Sequence, residues 1–219
     1  MKNEALSAEA LIHLLKGDAQ QVLELLGEEP KLELGNDQLI ATAHSMLGNP
    51  EKAKEIMQVC MYQQLLAVIS NGTEGLLLEV DNTEHFDETV KRIQQLFALF
   101  QMEQLQINSV LVFYVKAATG YMLQQRPQQA LEMLESFQRI CARIQFPLKL
   151  HGDDYFYKLD GWIERQARLS AQAPRDTQSI KKDLLATVSK NPVFAPLHED
   201  PTFKMIRLNL AHSLKIEEE

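Results

Sequence analysis

Apolar positions recur three and four residues apart along most of the chain, and short polar or glycine-containing breaks separate the apolar segments. Between residues 120 and 137, Tyr121 is followed nine positions later by Ala130, with polar residues between them. This spacing predicts a helix that ends, turns and is followed by a second helix packed against it. No segment alternates apolar and polar residues between hairpin turns, as a half-buried strand would. We therefore expect an all-α fold of about ten helices.

Four segments share a residue expected in a turn and, five positions later, a small or β-branched residue. The four pairs are Gly17 and Val22, Gly48 and Ala53, Glu84 and Thr89, and Gln125 and Ala130. Their second members lie 31, 36 and 41 residues apart. A loosely kept period of this length predicts a solenoid of helix–turn–helix units, because one hairpin cannot bury its apolar face alone.

The pattern changes near residue 150. The segment "HGDDYFYKLDGWIERQARL" predicts a longer amphipathic helix, in which Asp153 or Asp154 caps the start and Tyr155 and Trp162 share one face. A turn-rich piece, "NPVFAPLHEDPTF", and a last helix follow. We expect residues 1–150 to form the repeats, and residues 151–219 to form a C-terminal helical cap packed on the same solenoid.

The charge distribution argues against a nucleic-acid surface. The net charge is −8, and residues 1–100 carry 16 acidic and 7 basic residues. Proteins that grip nucleic acid use clustered lysine and arginine to displace counterions, and no segment here is strongly basic. No run of 18 apolar residues predicts a membrane span, and the N-terminus does not have the pattern of a signal peptide. We expect a cytoplasmic protein with no direct contact to nucleic acid or membrane.

Catalytic and metal-binding motifs are missing from the sequence. It has no G-x-S-x-G elbow, P-loop or G-x-G-x-x-G motif, so we expect no enzymatic activity and no cofactor. His151 with Asp153 and Asp154 resembles a metal cluster, but a loop and helix cap explain these residues better. Cys60 and Cys141 are far apart and form no C-x-x-C pair, which predicts two buried free thiols and no metal site.

A polar stripe on the most apolar predicted helix is the first candidate binding site. Asn108, Val112, Lys116 and Thr119 are spaced at i, i+4, i+8 and i+11, so they share one face. An asparagine can pair with a peptide backbone, and a lysine can meet a carboxylate or phosphate. The sequence leaves two interpretations open, a ligand groove on the inner side of a solenoid or ordinary solvent exposure.

Aromatic and sulfur-containing side chains provide further candidates. Tyr62 and Gln63 lie near a predicted helix start, and Trp162 lies on the aromatic face of the C-terminal segment. Flexible methionines can line a pocket for a hydrophobic ligand, although they also serve as ordinary core residues. The methionines concerned are Met57, Met61, Met102 and Met122.

Over residues 8–145, the hairpin spacings resemble tetratricopeptide repeats, in which a small residue, an aromatic residue and an alanine recur at these positions. Val22 and Thr89 replace the expected alanine, and Phe137 stands where a second small residue is usual. The resemblance implies a tetratricopeptide-like superhelix with a concave binding surface.

The whole chain is similar to the sensor halves of bacterial MerR-type transcription regulators with helical-repeat effector domains. The likeness lies in divergent hairpins that are closed by a helix of the type "HGDDYF…LDGWIE" and a tail of the type "NPVFAPLHEDPTF". The pattern of the tail also ends many tetratricopeptide arrays; it comprises Pro192, Phe194, Leu197, Asp200, Pro201 and Phe203. The resemblance implies a non-enzymatic sensor of a small hydrophobic molecule or short peptide, able to form a homodimer. Such regulators carry a basic DNA-binding head, which the acidic first hundred residues do not match. The alternative is an adaptor that binds a protein partner or itself.

Because the chain is acidic and has no basic stripe, it should not bind duplex DNA at physiological salt. Electrophoretic mobility shift with random-sequence duplexes at increasing salt concentration measures this directly. A shifted band that weakens as salt rises would contradict the expectation.

Overall fold

The computed structural model describes residues 2–26, 37–169 and 176–216. Within these ranges every regular element is a helix and no strand forms, which confirms the predicted all-α class. The chain divides into two compact units, Met1–Gln38 and Leu39–Glu219.

The first unit is a hairpin of α1 (Lys2–Leu15) and α2 (Ala19–Leu26), which pack against each other. Ala10 is buried, but most of the described apolar side chains of the hairpin stay exposed. The exposed residues are Leu11, Ile12, Leu14, Leu15 and Leu23. The hairpin therefore removes little apolar surface from water, in accord with the idea that one hairpin cannot bury its own apolar face.

The second unit contains a long helix, α7, packed between two others. α7 contacts α4 on one side and α8 on the other; α8 packs on α11, α11 on α10, and α9 on α4. Two short 3₁₀ helices, at Leu76–Leu78 and Pro192–Leu197, also contact α7. The α-helices are α3 (Asp37–Met46), α4 (Pro50–Gly75), α5 (Thr83–Leu99), α6 (Met102–Leu105), α7 (Ile107–Leu123), α8 (Pro127–Cys141), α9 (Leu159–Leu169), α10 (Thr177–Ser189) and α11 (Pro201–Leu214).

Three of the four predicted turns share one geometry. In each, a carbonyl near the helix end accepts the backbone N–H five residues later, and a residue with positive φ precedes that N–H. The acceptor–donor pairs are His13 and Asp18, His44 and Asn49, and Tyr121 and Arg126, at 3.0, 2.9 and 2.9 Å. The residues with positive φ are Gly17, Gly48 and Gln125. This is the Schellman arrangement, which satisfies the last carbonyls of a helix.

The fourth predicted turn is wrong. Glu84 lies in the first turn of α5, which begins at Thr83 and is capped by the Asn82 side chain. The chain reaches α5 from α4 through the 3₁₀ helix and residues 79–82 rather than through a Schellman turn. The five-residue spacing from Glu84 to Thr89 is therefore a coincidence within one helix.

The segment at residues 151–158 also differs from its prediction. The expected helix does not start near Asp153, because α9 begins only at Leu159. Asp153 does accept backbone N–H groups, from Tyr155 at 3.0 Å and Phe156 at 2.7 Å. These hydrogen bonds close a turn, and the residues after it are held by α4 instead of continuing as a helix.

The C-terminal pattern produces the expected turn-rich piece and last helix. Asn191 caps the 3₁₀ helix by accepting one backbone N–H group of the next turn, and Asp200 caps α11 by accepting two. Phe194 and Phe203 are fully buried, with ring centroids 6.4 Å apart. The proposed boundary at residue 150 stays a prediction.

Close packing of α5 against α7 depends on Gly120. The Phe86 ring lies where a Cβ atom at Gly120 would be, and it also packs edge-to-face on Tyr121 with centroids 5.0 Å apart. Arg126 lies 4.9 Å above the Tyr121 ring and makes a two-pronged ion pair with Asp87, at 2.8 and 2.9 Å. Desolvation, aided by Asp87, raises the pKa of Tyr121 to about 12.

Gly120→Ala should destabilise the protein by about 1–3 kcal/mol, because the added methyl group displaces the buried Phe86 ring. The matched control is Gly161→Ala in α9, where the new Cβ atom would meet only Arg165 Nη1 at 3.4 Å. This control should gain up to about 1 kcal/mol from helix propensity. Urea unfolding followed by circular dichroism measures both, and an unchanged or higher midpoint for Gly120→Ala would disprove the packing argument.

Candidate functional site

One side chain on α4 holds the loop formed by residues 151–158. Gln58 Nε2 donates to the Tyr155 carbonyl oxygen at 3.2 Å, and the Lys158 N–H donates to Gln58 Oε1 at 2.9 Å. A glutamine amide offers both a donor and an acceptor, so Gln58 satisfies two backbone groups of the loop at once. Because those groups have partners outside the loop, the segment does not need a helix to satisfy them.

Ion pairs also connect α4 with the loop and with α9. Lys158 Nζ lies 2.8 Å from Glu51, and Arg165 of α9 pairs with Glu55. Lys158 and Lys54 lower the pKa of Glu51 to about 2. A lowered carboxyl pKa stabilises the fold above the ordinary value of 4.5, and this stabilisation is lost as the pH falls toward about 2. Glu51 therefore carries its negative charge throughout the neutral range.

A cleft of about 380 Å³ opens where this loop meets the end of α5. We define the cleft by its six lining residues, which are Leu99, Phe100, Gln101, Asp153, Tyr155 and Phe156. Gln101 has a positive φ of 48°, and it turns the chain from α5 into α6. The cleft thus combines one helix end with one loop, both from the second unit.

The cleft wall is aromatic. Phe156 is fully buried, and its ring meets Tyr155 at 4.9 Å and Phe100 at 6.2 Å between centroids. Tyr155 is 57% exposed although it touches both phenylalanines. Edge-to-face contacts of this kind fix ring orientation, so the exposed Tyr155 ring is held by its buried neighbour.

An exposed apolar ridge continues from the cleft onto α4. The Tyr155 hydroxyl lies 3.5 Å from Met61 Sδ, and Met57 lies one helical turn earlier. Both methionines are more than one-third exposed, and Leu99 at the other end of the cleft is 73% exposed. We call Met57, Met61, Tyr155 and Leu99 the ridge.

Two of the predicted site residues come together beside this region. Tyr62 and Trp162 meet edge-to-face at 6.2 Å, and Tyr62 also contacts Phe156 at 5.9 Å. Tyr62 is only 3% exposed, and its burial raises its pKa while a hydrogen bond with Gln106 opposes the rise. Tyr62 and Trp162 therefore support the cleft from behind, whereas Gln63 is exposed.

The predicted α7 stripe does not share a residue with the cleft. Asn108 and Val112 are exposed. Lys116 is ion-paired with Glu74 of α4, and the Thr119 hydroxyl donates to the Val115 carbonyl oxygen of its own helix at 2.9 Å. The lysine and threonine thus have partners within the protein, and the role of the stripe in binding stays a prediction.

The candidate metal and thiol groups have structural surroundings. His151 Nδ1 lies 2.7 Å from the Gly152 carbonyl oxygen, and no three His, Cys, Asp or Glu side chains in the described residues are grouped to hold a metal ion. Cys60 and Cys141 are buried thiols that form no disulfide, as predicted. Burial raises the pKa of Cys141 to about 12, so this thiol stays protonated at neutral pH.

Sequence reasoning missed the cleft because it placed Tyr155 and Phe156 on a helix. The run of three aromatic residues at 155–157 did not distinguish a loop from a helix, because neighbouring residues of a helix lie about 100° apart and can alternate between buried and exposed. The sequence around Leu99 and Phe100 did not indicate a binding site, because any helix end that packs against the protein core is expected to be apolar.

No protein-family model matches the chain, and neither the curated proteins nor the solved structures provide a match. None of the described helices has the length and apolar character needed to span a membrane.

Gln58→Ala should weaken the attachment of the loop and lower stability by about 1–3 kcal/mol, because two backbone groups lose their partner. The amide hydrogen of Lys158 should exchange with solvent faster in this variant. Gln63→Ala on the same helix is the matched control, because Gln63 is exposed. Hydrogen exchange and urea unfolding measure the two effects, and equal behaviour of both variants would show that Gln58 does not hold the loop.

Proposed function

We propose that this protein is a non-enzymatic helical module that binds a short peptide segment of a partner protein at the cleft. The observation that carries the proposal is the continuity of the cleft with the ridge. An exposed apolar path from Leu99 through Tyr155 to Met57 suits an extended chain better than a compact molecule.

The cleft is large enough to hold one anchoring side chain of a peptide. Its volume of about 380 Å³ lies at the lower end of ligand pockets. One large side chain of a peptide can enter it while neighbouring residues lie over Met61 and Met57. Methionine side chains adapt to different partners because they are flexible and polarisable.

The cleft is also pre-organised for binding. Phe156 is fully buried beneath it, and Gln58 fixes the loop on both sides of this residue. A site whose walls are already ordered loses less conformational entropy when it binds a ligand. Tyr155 forms part of the aromatic wall, and tyrosine is one of the residue types that most often dominate the binding energy at protein interfaces.

The chemistry of the lining residues favours binding over catalysis. Asp153 is the one charged residue among the six, and its Oδ1 atom is occupied by backbone N–H groups. Nucleophilic or acid–base catalysis needs a second group within hydrogen-bond reach of the first, and the six lining residues include no histidine, cysteine, serine or lysine.

The wider role is a separate part of the proposal. Three Schellman turns of one geometry support the interpretation that the hairpins are divergent tetratricopeptide-like repeats. The sequence resemblance supports a cytoplasmic effector-binding half of a bacterial transcription regulator. In that role the cleft would take a small hydrophobic molecule, for which a volume of about 380 Å³ is also sufficient.

Selection from a phage-displayed library of random short peptides tests the proposal. Peptides chosen on the unaltered protein should bind the Tyr155→Ala variant at least about tenfold more weakly, because an interface anchor is lost. Tyr157→Ala is the matched control, since Tyr157 is 56% exposed beside the cleft but does not line it. This control should bind normally.

The same peptides locate the site. Loss of binding in Asn108→Ala and Lys116→Ala, with Tyr155→Ala unaffected, would assign the site to the α7 stripe. Failure to select any peptide that depends on Tyr155 would refute peptide binding at the cleft.

A further inference from the structure

We infer that the cleft selects a cationic side chain, arginine or lysine, next to an apolar residue of the bound peptide. This inference rests on the peptide-binding function proposed above. It adds the chemical class of the anchoring residue, which follows from the electrostatics of the cleft.

The first source of negative potential is Asp153. Its Oδ1 atom accepts both backbone hydrogen bonds, from Tyr155 and Phe156. These two bonds hold the carboxylate in one orientation, and they leave Oδ2 as the acceptor for an incoming group. A guanidinium or ammonium group forms stronger hydrogen bonds with a carboxylate than a neutral donor does.

The second source is the end of α5. This 17-residue helix ends at Leu99, and both Leu99 and Phe100 line the cleft. The last carbonyl groups of a helix lack intrahelical partners and together carry a partial negative charge. The cleft therefore lies at the negative end of the α5 dipole, where a cation is favoured and an anion is not.

The aromatic wall fits the rest of such a side chain. The faces of Tyr155 and Phe100 attract a cation, and the alkyl stem of arginine or lysine packs well on aromatic and aliphatic surface. Leu99 and Met61 extend this surface for the neighbouring apolar residue. Together these contacts explain why a small inorganic cation would not suffice.

Among the residues that the structure describes, no basic side chain lines the cleft. In the same region, the cations of Lys158 and Arg165 are paired with Glu51 and Glu55 on α4. The carboxylate of Asp153 therefore has no internal counterion among the six lining residues. A peptide cation would supply the missing charge.

Capped tripeptides provide a direct test. The probes are acetyl-Leu-Arg-Leu-amide, the same peptide with citrulline, which is a neutral isostere of arginine, and the same peptide with glutamate. Titration followed by amide chemical shifts of the full chain measures each affinity. At low salt the arginine peptide should bind at least about tenfold more tightly than the citrulline peptide, and the preference should shrink as salt rises.

Asp153→Asn should reduce the ratio of arginine to citrulline affinity to about one, because asparagine removes the charge while its side-chain oxygen can keep both backbone hydrogen bonds. Asp154→Asn is the matched control, since it removes the same charge one position away at a residue that does not line the cleft. The control should keep the preference for arginine.

Three outcomes would overturn the inference. They are equal affinities for arginine and citrulline, tighter binding of the glutamate peptide, and no binding of the arginine peptide at about 5 mM. If library peptides that depend on Tyr155 are still obtained, peptide binding stands and only the cation preference fails. If no such peptides are found, the proposed function fails as well.

Discussion

The candidate site depends on one requirement, that the backbone of residues 151–158 has hydrogen-bond partners without forming a helix. Gln58 meets this requirement from α4 by contacting the backbone on both sides of Phe156. Asp153 satisfies two more N–H groups within the loop itself. With these partners the loop places Phe156 in the core and Tyr155 at the surface.

Attachment of the loop also explains why the cleft has an aromatic wall and a negative charge together. The same turn that buries Phe156 brings Asp153 beside the end of α5. The buried ring, Tyr62 and Trp162 form a continuous aromatic support behind the exposed Tyr155 ring. The shape of the cleft, its aromatic wall and its one charged lining residue therefore share a single structural origin.

The helical hairpins show how far a repeated sequence spacing reflects a repeated structure. Gly17, Gly48 and Gln125 occupy the same left-handed position in three turns, although only two are glycine. Gln125 accepts the strained conformation because the turn around it satisfies the carbonyls at the end of α7. Glu84 and Thr89 have the same five-residue spacing but no Schellman turn between helices, because Asn82 caps the start of α5 shortly after a 3₁₀ helix. Spacing alone does not distinguish these cases.

The sequence by itself determined the helical class, the positions of three turns between helices, the buried cysteines and the turn-rich C-terminal piece with its last helix. These features depend on local periodicity, on glycine and proline at turns, and on side chains that cap the helix immediately following them. Only the tertiary structure decided that residues 151–158 are a loop, that Lys116 pairs with Glu74, and that Asp153 joins Leu99 and Phe100 in one cleft. Each of these depends on a partner many residues away in the chain. A periodic pattern records which face of a segment is apolar, but it does not record which distant side chain will satisfy its backbone or its charge.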